Sequence, residues 1–250
     1  MNLPRIVVPE TLDSLAEDDP QAVRSRRDLQ RVHRAMGTRG ILRRALGSLG
    51  LPCRQAAPLR LLELGAGDGS LMLGVAQSLK AQWPAVHITL LDRQRLVTPA
   101  TLAAYARLGW SATAQVVDVL DWASAASSRP AGGPVAQWDV IVASLFVHHF
   151  EGAELAGLLA AIEMRAGRFF ACEPRRGRLA LAGSHLVGAI GANAVTRRDA
   201  VLSVHAGFQG TELSALWPGL PGQWNVKEYS AGLFSHCFLA ERCALDPAAA

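Results

Sequence analysis

The chain has 250 residues, of which 50% are hydrophobic and 18% charged, and its formal net charge is +4. These values exclude a disordered chain and suit a single α/β domain with one substantial core, while the modest charge leaves the partner open. The four scattered cysteines form no Cys-x-x-Cys pair and predict neither a metal site nor a disulfide framework, so we expect a cytoplasmic protein with reduced thiols.

The first part of the chain predicts an irregular lead-in followed by two helices. Residues 1–10 lack a basic region followed by an apolar one, so no signal peptide is expected. Asp19 and Pro20 form a typical helix start, and the first helix is predicted from Pro20 to about Met36, where a glycine ends it. A second helix is predicted over 38–49.

These two predicted helices are rich in arginine. Eight arginines lie between Arg24 and Arg44, against one acid, Asp28. Such a cluster fits a surface for nucleic acid or an anionic substrate, and it also fits two solvated helix faces. No aromatic residue precedes Trp83, whereas RNA-binding surfaces usually interleave basic and stacking residues. Solvated helix faces are therefore the simpler interpretation.

The sequence Leu59–Leu71 predicts a buried strand, a glycine turn and the start of a helix. Its apolar run is typical of a strand that is covered on both faces. Gly65, Gly67 and Gly69 follow, and a helix is predicted over 70–82. Such a turn lets the backbone approach a ligand and directs unpaired helix N–H groups at it. The spacing, Glu-x-Gly-x-Gly-x-Gly, differs from the dinucleotide-binding pattern Gly-x-Gly-x-x-Gly.

Two further predicted strands each end in an aspartate. The strand over 86–91 ends at Asp92, and the strand over 112–117 ends at Asp118. A carboxylate after the second strand is suited to accept hydrogen bonds from both hydroxyls of a ribose. A carboxylate after the third is suited to accept from an adenine amino group, with the next backbone N–H donating to the ring.

The remaining predicted elements continue the alternation of strands and helices: a helix over 99–108, a strand over 138–144, a helix over 154–166 and a strand over 169–172. This order predicts a doubly wound parallel sheet. Because the carboxyl ends of parallel strands meet at one edge, we expect five strand-end side chains to gather there: Glu63, Asp92, Asp118, Ser144 and Glu173.

The glycine motif, the strand-end aspartates and the sequence from Asp139 to His149, with its Leu-Phe-Val-His-His, together resemble the class I S-adenosylmethionine (SAM)-dependent methyltransferases of the small-molecule branch. The resemblance covers about 59–242. It implies an α/β fold with a doubly wound, Rossmann-like seven-stranded sheet, mostly parallel with the last strand antiparallel. It divides the chain into an N-terminal helical lid over 1–57, a methyltransferase domain over 58–243 with a helical cap at about 177–200, and a tail over 244–250.

The last two strands of that family form an antiparallel hairpin. Residues 207–209 and 224–240 are the segments of this chain that fit it. Within the second segment, Phe234, His236 and Phe238 alternate as in a strand.

The resemblance also implies a set of site residues. SAM would be held by Glu63, Gly65, Ala66, Gly67, Asp68, Gly69, Asp92, Arg93, Asp118, Val119, Leu120, Ser144 and Leu145. The acceptor would be contacted by Met36, Glu173, Arg175, His185 and Asn193.

The implied reaction is an in-line displacement at the methyl group of a sulfonium, in which the protein aligns the acceptor and removes its proton. His148 and His149 are the candidate bases because imidazole suits proton transfer at neutral pH. Adjacent side chains point apart, so at most one of them would face the acceptor. The alternative is that both histidines only shape the pocket.

Several acceptors are compatible with these motifs. The main expectation is an enzyme that methylates an oxygen of a phenolic or polyketide-like compound, with no membrane or nucleic-acid partner and with a homodimer possible. The alternatives are C-methylation of a quinone or polyketide ring, RNA methylation through the arginine-rich helices, and a SAM-binding subunit without activity of its own. The sequence Ser144–Val147 lacks the Asn/Asp-Pro-Pro-Tyr-like motif of amino-methylating nucleic-acid enzymes, which argues against them.

Overall fold

The computed structural model describes residues 3–49, 57–125 and 137–243. Within these ranges the strands are β1 (Leu59–Leu64), β2 (Val86–Asp92), β3 (Trp110–Val116), β4 (Val140–Ser144), β5 (Arg168–Pro174), β6 (Trp224–Ala231) and β7 (Ser235–Arg242). The helices are α1 (Thr11–Ser14), α2 (Pro20–Met36), α3 (Thr38–Gly47), α4 (Ser70–Leu79), α5 (Pro99–Arg107), α6 (Val119–Ser124), α7 (Gly152–Arg165), α8 (Arg178–His185), α9 (Ala194–Ala206) and α10 (Glu212–Leu216). Two short 3₁₀ helices cover 147–149 and 187–190.

The strands form one seven-stranded sheet in the order β3-β2-β1-β4-β5-β7-β6. Strands β1 to β5 pair in parallel, and β7 pairs antiparallel with both β5 and β6. The predicted fold is therefore confirmed, including the antiparallel last strand. The strand order reverses between β1 and β4, which is where doubly wound sheets bind their ligands.

The central strand β1 shows why the sheet is covered on both faces. Leu59 and Leu61 belong to the core that α3 and α4 complete on one face. Leu62 and Leu64 belong to the core that α7 completes on the other face. The four leucines of β1 suit this position because they are buried on both faces of the sheet, while Arg60 is exposed near the start of the strand and Glu63 is buried near its end.

The predicted element boundaries are largely confirmed, and one assignment is wrong. Residues 207–209 form no strand: Phe208 makes only an isolated bridge with Arg175, and both strands of the final hairpin come from 224–242. Gly207 passes so close to β5 that a Cβ there would lie 2.3 Å from the carbonyl oxygen of Pro174. The segment is therefore a close crossing over the end of β5.

Residues 3–19, here called the N-terminal strap, cross the protein beside α9. The backbone N–H groups of Thr11 and Leu12 each donate to the Asp199 carboxylate at 2.9 Å. Arg5 donates to the carbonyl of Phe150 at 2.8 Å. The strap is thereby held next to the carboxyl ends of the central strands. In the described ranges, no helix has the length and apolar character needed to cross a bilayer.

Candidate active site

A cleft with a volume of about 840 Å³ opens at the carboxyl ends of β1, β2 and β4. It contains the residues predicted to bind SAM, with the exception of Gly69. Gly69 instead begins α4, and its carbonyl accepts a hydrogen bond from the Tyr105 hydroxyl at 2.9 Å. Four of the five strand-end side chains predicted to gather, Glu63, Asp92, Asp118 and Ser144, line this cleft, whereas Glu173 does not.

The glycine turn forms the floor of this cleft. Gly65 and Gly67 have positive φ angles of 66° and 55°, a conformation that glycine adopts without strain. The N–H of Gly67 donates to Asp92 Oδ2 at 2.8 Å, and the other oxygen of Asp92 accepts from the N–H of Gln94 at 2.9 Å. Burial raises the pKa of Asp92 above its usual value, despite these two hydrogen bonds. The turn and the end of β2 therefore hold each other in place.

Four side chains that line the cleft have a buried polar atom without a hydrogen-bond partner: Arg26, His33, Glu63 and Ser144. Two of these side chains are themselves buried at strand ends: Glu63, which lacks a partner at Oε2, and Ser144, which lacks one at its hydroxyl. Burial, together with the negative charges of Asp68 and Asp92, raises the pKa of Glu63 well above its usual value. Buried polar groups are usually satisfied, so two such atoms in one cleft indicate a polar ligand.

Helix α2 forms the wall opposite the glycine turn. Gln30 donates from its side-chain amide to Asp68 at 3.0 Å and to the Ser70 hydroxyl at 3.3 Å. His33 also faces the cleft, and burial lowers its pKa to about 4. Three of the clustered arginines also line the cleft: Arg26 and Arg34 on α2, and Arg39 on α3. Part of the arginine cluster thus belongs to the cleft and is not a remote surface.

The histidine pair lies beyond β4, where the chain turns through Leu145 with a φ angle of 51°. The Nδ1 of His148 donates to Glu173 Oε2 at 2.8 Å. Glu173 also accepts from the backbone N–H groups of Phe146 and Val147, at distances between 3.1 and 3.2 Å. Glu173 was predicted to contact the acceptor, but the structure places it behind His148, where it fixes the orientation of the ring.

The N-terminal strap supplies two acids to this pair, and neither is predicted by the sequence pattern. Glu10 Oε1 lies 3.4 Å from His148 Nε2 and accepts a hydrogen bond from the Ser203 hydroxyl. Asp13 Oδ2 lies 3.3 Å from His149 Nδ1. No pattern in the first 19 residues signals these roles, because both contacts join positions far apart in the chain.

The pKa values of the two rings are shifted in opposite directions. Burial alone would lower the pKa of His148, but hydrogen bonds with Glu10 and Glu173 raise it to about 9. Burial and the neighbouring charge of His148 lower the pKa of His149. The ring of His148 is therefore protonated at neutral pH, and its positive charge lies next to the carboxylate of Glu10.

Comparisons with solved structures agree with the fold that carries this cleft. The plantazolicin methyltransferase BpumL in complex with SAH superposes with a TM-score of 0.59 at 13% identity, over 90% of this chain and 92% of that one. BamL, with a desmethylPZN analog and SAH, gives 0.59 at 11% identity, over 92% and 93%. An O-methyltransferase family protein from Burkholderia thailandensis gives 0.56 at 15% identity, over 95% of this chain and 64% of that one. The chain has the class I methyltransferase fold. No protein-family profile and no curated protein sequence matches it.

Within this methyltransferase fold, four residues predicted to contact the acceptor lie away from the cleft. Arg175 lines a second cavity of about 600 Å³, next to Arg176. Asn193 caps α9, accepting from the N–H of Thr196 at 2.8 Å and from the Ser25 hydroxyl at 3.0 Å. Met36 ends α2 and His185 is exposed on α8, and neither lines the cleft. Their roles in acceptor binding stay predictions.

Proposed function

We propose that the protein is a SAM-dependent methyltransferase that acts on a small-molecule acceptor. The observation that carries this proposal is a single cleft in which the glycine turn, Asp92 and Asp118 meet the unpartnered buried atoms of Glu63 and Ser144. The cleft lies in a class I methyltransferase fold. BpumL and BamL, which share that fold, were solved with SAH.

The residues of the cleft fit SAM in three places. The carboxylate of Glu63 and the hydroxyl of Ser144 suit the charged ends of an amino acid, and a Cβ on Gly67 would meet no atom within 4 Å, so the backbone there is open to a ligand. Asp92 retains lone pairs for ribose hydroxyls. Asp118 lies exposed at the start of α6, with Leu120 beside it, which suits an adenine ring.

When bound, SAM supplies a methyl group already activated by the adjacent sulfonium. The chain then has to hold an acceptor in line and exclude water. Apolar side chains line the histidine side of the cleft: Val7, Val8, Leu12, Phe146 and Phe150. This lining supports an aromatic or polyketide-like acceptor with methylation at oxygen, and methylation of a ring carbon is the alternative. The role of His148 or His149 as the base that takes the acceptor proton stays a prediction.

The experiment that tests the proposal follows the label from methyl-labelled SAM after incubation of the protein with an extract of its source organism. We expect the label in the organic-extractable fraction, where mass spectrometry identifies the acceptor and the methylated atom. The matched control is Asp92→Ala, which removes the proposed ribose contact and the acceptor of the Gly67 hydrogen bond, and should lose both SAM binding and transfer.

Three other results would contradict parts of the proposal. Label in RNA would indicate that the arginine-rich helices bind nucleic acid. RNA binding that weakens steeply with salt would support that conclusion. Label in protein would likewise exclude a small-molecule acceptor. SAM binding without any methyl transfer would indicate a SAM-binding subunit that has no activity of its own.

A further inference from the structure

Two histidines and a glutamate meet at the acceptor side of the cleft. Glu10, His148 and His149, here called the His-His-Glu cluster, each offer one ligand atom, and these atoms lie within 4.8 Å of one another. We propose that the His-His-Glu cluster binds a divalent first-row transition metal ion such as Zn²⁺. Two imidazoles and one carboxylate form the donor set of known zinc sites that keep a position open for a ligand.

The distance between the first two ligand atoms fits a metal ion. His148 Nε2 and Glu10 Oε1 lie 3.4 Å apart. Two atoms that each lie about 2.1 Å from a tetrahedral zinc ion are separated by about 3.4 Å. A ring nitrogen of His149 is close enough to complete the set after a change of side-chain torsion, because its ring centroid lies 4.3 Å from that of His148.

Outer carboxylates orient both rings, as is usual for histidines that bind metals. Glu173 accepts from Nδ1 of His148 at 2.8 Å, so that Nε2 faces Glu10. Asp13 lies 3.3 Å from Nδ1 of His149. Each histidine of the cluster thus has its own carboxylate on one side of the ring.

The charge around the cluster also favours a cation. Three carboxylates, from Glu10, Asp13 and Glu173, surround the two imidazoles. Arg93 pairs with Asp13 at 3.3 Å, while Glu173 is fully buried and Glu10 largely so. Buried carboxylates need a compensating positive charge. In the metal-free protein the protonated ring of His148 supplies it, and a metal ion between Glu10 and the rings takes over this role as His148 releases its proton to solvent. Imidazole ligands favour zinc or iron over magnesium or calcium.

The cluster lines the same cleft as the proposed SAM site, so an open metal position faces the acceptor. An acceptor hydroxyl bound there gives up its proton to solvent more readily. In that arrangement the histidines bind the metal ion and do not take the proton. This role rests on the proposed function, whereas metal binding itself does not.

The test measures metal binding by the full chain in a Cys53→Ser, Cys243→Ser background. These changes remove two thiols as competing ligands: Cys243, which is the exposed cysteine among the described residues, and Cys53, which lies outside them. After treatment with a chelator, the protein is titrated with Zn²⁺ by calorimetry and with Co²⁺ by visible absorption. We expect one ion per chain, a cobalt d–d band that zinc abolishes, and no displacement by excess Mg²⁺. Glu10→Gln and His149→Ala should each weaken binding by at least about tenfold, and so should Glu173→Gln through the orientation of His148.

Matched controls are Glu154→Gln, which removes another carboxylate of the cleft, and His185→Ala, which removes an exposed histidine outside it. Both should bind zinc as the parent does, and circular dichroism should show every variant folded. The absence of a stoichiometric site, or equal zinc affinity of Glu10→Gln, His149→Ala and the parent, would overturn the proposal. SAM binding is measured on the same samples: SAM binding without zinc binding overturns the metal site alone, and zinc binding without SAM binding overturns the proposed function alone.

Discussion

Glu63 is the last residue but one of β1, and its carboxylate is buried inside the cleft, 2% exposed, beside the acids Asp68 and Asp92. Its raised pKa means that it holds a proton more tightly than an ordinary glutamate. An ammonium group placed next to it stabilises the ionised form and lowers that pKa again. Binding of SAM, which carries such an ammonium, should therefore release protons from the protein at pH values between the lowered pKa of the complex and the raised pKa of the free protein, and the affinity should rise with pH in that range.

Calorimetry of SAM binding in buffers with different ionisation enthalpies measures this release directly. Glu63→Gln should bind SAM more weakly and release no protons, because its amide does not titrate. Glu154→Gln, at the rim of the same cleft, serves as the matched control and should behave as the parent. Equal proton release by the parent and Glu63→Gln would exclude Glu63 as the partner of the ammonium.

At the scale of elements, the glycine turn between β1 and α4 contains two glycines that differ in their surroundings. Both have positive φ, so alanine at either costs roughly 1–2 kcal/mol of unfolding free energy. A Cβ on Gly65 would lie 2.2 Å from the Phe146 ring, whereas one on Gly67 would meet nothing within 4 Å. Gly65→Ala should therefore lose about a further 1–3 kcal/mol of unfolding free energy, because its methyl group overpacks against the Phe146 ring.

Urea unfolding of the two variants checks this difference. Gly67→Ala should keep most of the stability but bind SAM more weakly, since its methyl group enters the space proposed for the ligand. Gly157→Ala in α7, where a Cβ also meets nothing, is the control and should be neutral or stabilising. Equal losses at positions 65 and 67 would contradict the close packing of Phe146 on the turn.

The elements that the sequence predicts well are those whose signal is local. Helix α2 runs from Pro20 to Met36 as predicted, because Asp19 accepts from the N–H groups of its first turn and Gly37 ends it in a left-handed conformation. Strands β1, β2 and β4 follow from their apolar runs, and Asp92 and Asp118 fall at strand ends. Local patterns thus predict the sheet and the part of the cleft that lies on it.

What the sequence does not predict depends on contacts between distant segments. Glu10 reaches His148 because Asp199, on α9, and the hydrogen bonds of Arg5 fix the N-terminal strap. The role of Glu173 behind His148 likewise depends on the pairing of β4 with β5, and not on a pattern around Glu173. The second cavity near Arg175 arises in the same way, from the strap and the final hairpin meeting beyond β5.

At the scale of the whole molecule, the stability of the fold should depend on pH through His33 in the wall of the cleft. Its pKa is about 4 in the folded protein and about 6.5 when the chain is unfolded. The unfolded state therefore binds more protons between these values, and stability falls as the pH drops through this range. At pH 5 this residue should lower the free energy of unfolding by about 2 kcal/mol relative to neutral pH.

Urea unfolding at pH 7.5 and pH 5 isolates the contribution of His33 when the parent is compared with His33→Gln, whose side chain is neutral at both pH values. The parent should lose about 2 kcal/mol more than the variant between the two conditions. Glu63 acts in the opposite direction, because an acid with a raised pKa stabilises the fold as the pH falls, but it is present in both proteins and cancels in the comparison. His185→Gln, which changes an exposed histidine, should keep the pH dependence of the parent. An unchanged pH dependence in His33→Gln would mean that His33 is solvated in solution, and that α2 does not close over the cleft as it does in this structure.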